Sequence, residues 1–118
     1  RAGSARAQFN LALMVERGRG VRRDAGLAVK WYLRAANAGL IPAQINLALM
    51  YAAGNGVPLD PVQAMMWLRI SEHMGAARLN NVKSGIAVKL TPEQVRDAEE
   101  SAADRVQFIR ANMAKSRP

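Results

Sequence analysis

Ala7-Gln8-Phe9-Asn10-Leu11-Ala12-Leu13-Met14 returns 36 residues later as Ala43-Gln44-Ile45-Asn46-Leu47-Ala48-Leu49-Met50. The echo stays in register, with Gly18, Gly20, Val21, Asp24, Ala28, Trp31 and Gly39 recurring as Gly54, Gly56, Val57, Asp60, Ala64, Trp67 and Gly75. Fourteen of the 36 aligned positions are identical, more than an alanine-rich composition gives by chance. A period of this length marks stacked supersecondary units, because one such unit cannot cover its own apolar face and its neighbour must.

Each unit reads as helix–turn–helix. Ser4 caps a first helix over about 5–17, whose Ala7, Leu11, Met14 and Val15 fall at three- and four-residue spacings. Gly18-Arg19-Gly20 forms the turn, and Asp24 offers an acceptor to the first N–H groups of a helix over about 25–38. In the second copy Asp60 is followed by Pro61, which suits a first helical position, and the helix covers about 61–74. Pro42 falls in the first turn of the helix before it. Leu27, Ala28, Trp31, Ala35 and Ala38 line one face in the first copy, and Ala64, Trp67, Leu68, Ser71 and Met74 in the second.

Beyond Ala76 the repeat decays. The stretch 76–90 reads as helical, with Leu79, Val82, Ile86 and Leu90 on one side and Gly85 weakening it. Thr91-Pro92-Glu93-Gln94 is a capping box, and Val95, Ala98, Ala102, Val106, Ile109 and Met113 make one apolar stripe over about 92–114. The opposite face carries both signs of charge. A helix of that kind suits the closing element of a stack.

The 118 residues are half apolar and only 5% aromatic, which favours closely approaching helices with small contact residues. No cysteine is present, so disulfides, thiolate metal sites and a cysteine nucleophile are all excluded. No apolar run is long enough to span a membrane as a helix. The chain starts at Arg1 rather than Met and reads as a piece of a longer protein, with Arg1 as an artificial edge. Monomer or weak self-association is the expected state. The net charge of +8 is uneven: residues 1–40 hold eight Lys and Arg against Glu16 and Asp24.

The pattern Ala-x-x-x-Leu-Ala-x-x-(Tyr)-x-x-Gly-x-Gly-Val-x-x-Asp-x-x-x-Ala-x-x-Trp, closed by a glycine, resembles the Sel-one-like repeat, an α-solenoid relative of the tetratricopeptide repeat. The resemblance runs from Ala5 to about Gly75; Val15 replaces the tyrosine seen at Tyr51, and Ala12 and Ala48 stand where glycine is commoner. It implies an all-α, right-handed α-solenoid of two units, about 5–40 and 41–76. A C-terminal helical hairpin at about 77–114 would cap them, in one domain. It also implies a non-catalytic protein–protein interaction scaffold or regulatory module. The bacterial periplasm or cell envelope is the favoured compartment and the cytoplasm the alternative. Fold alone names no partner.

Two surfaces are candidates for partner binding. One is the inner face of the first helix of each unit, where the related solenoids place Arg6, Phe9, Leu13 and Glu16 with Ile45 and Leu49. Asn10 and Asn46 on these helices would either order a bound peptide backbone or bond across the helix pair. An apolar groove there would suit a peptide helix. The other surface is the loop holding Arg17, Arg19, Arg22 and Arg23, whose counterparts Ala53, Asn55, Pro58 and Leu59 carry no charge. The fold therefore does not require these arginines. They would serve solubility or an acidic protein, lipid head groups or nucleic acid, the last being disfavoured because no aromatic residues interleave for base stacking.

The remaining polar residues point to no chemistry. Trp31 and Trp67 recur at one phase and read as core; Met14 and Met50 read as gap fillers between helices. A lone His73 at a helix end lacks partners for metal binding or general-base work. Glu99, Glu100 and Asp104 sit among arginines on a solvated face. The glycine-rich turns follow no strand and are not phosphate loops. No cofactor, metal or enzymatic activity is expected.

Overall fold

The computed structural model describes residues 4–115; Arg1 lies outside them. Six helices and no strand occur among the described residues: α1 (Ala5–Arg17), α2 (Ala25–Asn37), α3 (Ile41–Ala53), α4 (Pro61–His73), α5 (Asn80–Ala87) and α6 (Pro92–Lys115). The first four begin and end where the repeat places them. The Ser4 hydroxyl accepts from the Ala7 N–H at 3.3 Å, Asp24 Oδ1 from Leu27 at 3.0 Å and Asp60 Oδ1 from Gln63 at 3.1 Å. Gly18 and Gly54 close α1 and α3 in the left-handed region, at φ of 71° and 68°, where a β-carbon would be strained.

Successive helices pack in chain order, α1 on α2, α2 on α3 and α3 on α4. Ala12, Ala28, Ala35, Ala36, Ala43, Ala48 and Ala64 are fully buried along these contacts. Their small side chains let backbones approach, and larger residues such as Tyr32, Leu47 and Leu68 fill the remaining space. Two features lock unit two onto unit one. The buried Gln44 donates from Nε2 to the Ala36 carbonyl at 3.1 Å. Gly56, at φ 78°, lies so close to the start of α2 that a β-carbon there would stand 2.5 Å from the Ala25 carbonyl oxygen.

The C-terminal part covers unit two. α6 lies against α4 and buries Ala98, Ala102, Val106 and Ile109, leaving Trp67 only 1% exposed. Its start is the expected capping box: Gln94 N–H donates to Thr91 Oγ1 at 3.1 Å, and Thr91 N–H to Gln94 Oε1 at 2.9 Å. Arg105 reaches further, with its guanidinium 5.7 Å from both the Trp67 and Phe108 rings. Its Nη1 donates to Asn37 Oδ1 of unit one at 3.1 Å. Met113 lies against Gly39, so α6 straps both units together.

Four expectations are corrected. Residues 76–79 are not helical, and α5 starts only at Asn80. The Ala76 N–H turns back to the Ser71 carbonyl, and the Leu79 N–H donates to Glu72 Oε2 at 2.9 Å, which breaks the helical path. On α5 only Ile86 is buried, and Val82 faces solvent. Trp31 is half-buried, stacked under Arg34 at 4.8 Å, because no helix among the described residues covers α2 as α6 covers α4. Leu27 is exposed on the same helix, where its equivalent Gln63 faces α6, and Met14 is exposed since no unit precedes α1 among the described residues.

Candidate interaction surface

The end of α1 and the end of α3 face each other across a groove of about 200 Å³ lined by Leu13, Glu16, Arg17, Asn46, Leu49, Met50, Ala53 and Asn55. The equal phase of the two copies brings them together: Leu13 and Leu49 are equivalent residues one unit apart. Leu49 is 45% exposed and Leu13 half-buried, so each offers apolar surface at the rim. The groove is mixed in chemistry rather than apolar throughout, because Glu16, Arg17, Asn46 and Asn55 alternate with the aliphatic residues.

The polar floor is braced from below. The Tyr32 hydroxyl of α2 donates to Glu16 Oε1, and the Asn46 side chain reaches the same hydroxyl. Burial, then the bond to Glu16, pushes the Tyr32 phenol well above its ordinary range, so it stays a neutral donor. Glu16 is thereby committed to Tyr32, and Asn46 links the two units. Phe9 packs on Tyr32 with ring centroids 5.8 Å apart. Phe9 thus supports the floor, with part of its surface open; Ile45 is likewise half-buried, while Arg6 and Asn10 are exposed. The structure brings Leu13, Arg17, Asn46 and Leu49 into one groove and leaves Arg6, Phe9, Asn10 and Ile45 outside its lining.

Arg17 lines this groove, and Arg19, Arg22 and Arg23 follow on the adjoining turn, all exposed. Among the described residues none of the four is ion-paired, since the ion pairs join only Arg69 or Lys83 to Glu72 and Arg69 to Glu99. Arg17 is thus common to the two surfaces read separately from the sequence, lining the groove with Leu13 and Leu49 and heading the turn that carries the other three arginines.

A second polar cluster escaped sequence reading. Glu72 Oε1 accepts from Lys83 Nζ at 2.8 Å and Arg69 Nη1 at 2.9 Å, and Oε2 from the Leu79 N–H. Burial alone would raise this carboxyl; the three donors outweigh it and hold it down at about 2. It fastens α5 to α4. The signal for the Tyr32–Glu16 pair was available: in the second copy both members change together, to Leu68 and Ala52. His73 is exposed at the end of α4, where its carbonyl accepts from Arg110 Nη2 at 3.3 Å. Among the described residues no three His, Asp or Glu side chains converge as a metal site, and no helix is long and apolar enough to cross a membrane.

Comparison with known proteins places this architecture. The chain is similar to c5321, a protective antigen of uropathogenic Escherichia coli strains displaying an SLR fold, at 30% identity and a TM-score of 0.82. That match covers 97% of this chain and 25% of the antigen. It is also similar to a Sel1 repeat protein from Oxalobacter formigenes, at 37% identity and a TM-score of 0.66, over 70% of this chain and 62% of that one. The chain thus spans a quarter of the first neighbour's length and under two thirds of the second's. No curated protein sequence matches it. The Sel1 repeat pattern matches residues 5–40 and 41–75, the units set by the caps and turns above, and the chain belongs to the Sel1 repeat family.

Proposed function

We infer that this chain is a non-catalytic protein-interaction module that holds an acidic segment of a partner protein in the groove between α1 and α3. The observation that carries this reading is the joining of an aliphatic rim, exposed Leu49 and half-buried Leu13, to Arg17, Arg19, Arg22 and Arg23, which form no ion pair among the described residues. Apolar surface excludes water and gives affinity, and the arginines select for carboxylates and speed encounter. Family membership supports the coarser statement, since Sel1 repeats commonly act as protein-binding modules.

A second reading rests on the arginines alone. The uncharged counterparts in unit two show that the fold does not need them. An anionic surface or polymer would then bind through charge, and its affinity would collapse with salt.

The test is selection of binding peptides from a random display library, followed by affinity measurement at about 50 and about 300 mM salt. The groove reading expects peptides combining acidic and apolar residues, with binding weakened at least about tenfold by Leu49→Arg and retained at high salt. Affinity insensitive to Leu49→Arg, yet abolished by salt or by replacing all four arginines with alanine, transfers the site to the charge-only reading.

A further inference from the structure

Asn55 stands apart from the other asparagines. Asn10, Asn37, Asn46, Asn80, Asn81 and Asn112 all lie in helices, whereas Asn55 sits in the turn between α3 and α4. It alone among them is followed by a glycine, Gly56. The Asn55 N–H is anchored to the Met50 carbonyl at 2.9 Å. Among the described residues, neither its side-chain amide nor the Gly56 N–H has a hydrogen-bond partner. Gly56 is exposed and has no side chain to shield its nitrogen, and glycine's backbone freedom lets that nitrogen turn toward the side chain before it. Asn55 lines the groove between α1 and α3, where Glu16 and Arg17 are the charged residues and cancel. The equivalent pair in unit one is Arg19-Gly20, so the turn requires its glycine and not its asparagine.

We propose that Asn55-Gly56 is a self-modification site, a deamidating turn that converts one wall of the groove from amide to carboxylate and so weakens its hold on an acidic segment. The second half of this inference rests on the groove reading above; the first does not. The Gly56 nitrogen attacks Asn55 Cγ, so that an N–Cγ bond forms and the Cγ–Nδ2 bond breaks. The amide leaves as ammonia, taking the proton that Gly56 gives up. Water then opens the resulting succinimide. Breaking its N–Cγ bond restores the main chain with an aspartyl side chain; breaking the bond from nitrogen to the main-chain carbonyl leaves an isoaspartyl link, one methylene longer. Either product is a carboxylate, which takes the groove lining from neutral to net negative around Arg17. The longer link must also fit where Gly56 already lies against α2, a β-carbon there standing 2.5 Å from the Ala25 carbonyl oxygen.

The experiment incubates the folded protein at mildly alkaline pH and follows its intact mass, locating each amide-to-acid exchange by peptide fragmentation. The urea-unfolded chain and Asn55→Gln run beside it. Asn55 of the folded protein should be the first site to exchange, and Asn55→Gln should abolish that first phase. A folded chain that keeps Asn55 intact while the unfolded chain exchanges there overturns the proposal, because the fold then protects the turn. The peptides selected by display are the binding probe. Asn55→Asp, which mimics the aspartyl product, should weaken them at least about threefold at low salt and less at high salt. Peptides that respond to Leu49→Arg but not to Asn55→Asp overturn the effect on binding. Peptides indifferent to both overturn the groove reading instead, and the mass record then decides the modification by itself.

Discussion

Glu72 shows how one side chain decides a local structure. Its carboxylate holds the Leu79 N–H, Lys83 and Arg69 at once, and its folded-state pKa of about 2 lies below the ordinary value of 4.5. A group depressed on folding contributes stability that is present above its unfolded pKa and lost as pH falls toward its folded one. The urea midpoint should therefore fall between about pH 4.5 and 2, and Glu72→Gln should flatten that stretch of the profile while lowering the midpoint at pH 7. The two tryptophans make a second contrast. Trp67→Ala should cost about 3–5 kcal/mol in a denaturant melt, and Trp31→Ala, from a half-buried site, less than about half of that. Sequence identity gives both residues one phase on their helices. It says nothing of what lies opposite, and that difference separates Met14 from Met50 as well.

At the level of elements, α1 to α4 were legible because every start carries its own acceptor or proline and every end its glycine, in duplicate. α5 was not. Ala76-Ala77-Arg78-Leu79 are good helix formers, yet the Leu79 N–H is taken by Glu72, a partner seven residues back that no local pattern announces. α5 also lacks a side-chain cap and contains Gly85 in open space. Gly85→Ala should thus stabilise by up to about 1 kcal/mol, read as a higher urea midpoint and slower amide exchange in α5. Thr91→Ala, which removes the box at the head of α6, should cost about 1 kcal/mol in the same measurement.

Across the whole molecule the stack is joined at one turn and open at the other. Gly20→Ala and Gly56→Ala each force a β-carbon into the left-handed region, at about 1–2 kcal/mol. Only the second also strikes the backbone of a neighbouring unit, so its loss in thermal or urea unfolding should be at least about twice as large. The groove between α1 and α3 was half legible. The equivalence of Leu13 and Leu49 placed them on one face, but the Tyr32–Glu16 brace beneath them, and the continuity of Arg17 with the groove, needed the packed helices. The reach of α6 to Asn37 and Gly39 bears on how the protein is made. Neighbour-only arrays can fold piece by piece as they leave the ribosome, but α6 closes a contact 68 residues apart in sequence. A nascent chain still missing that helix carries an uncovered Trp67, so the second unit completes its folding only once α6 has left the ribosome, and until then it is a substrate for chaperones.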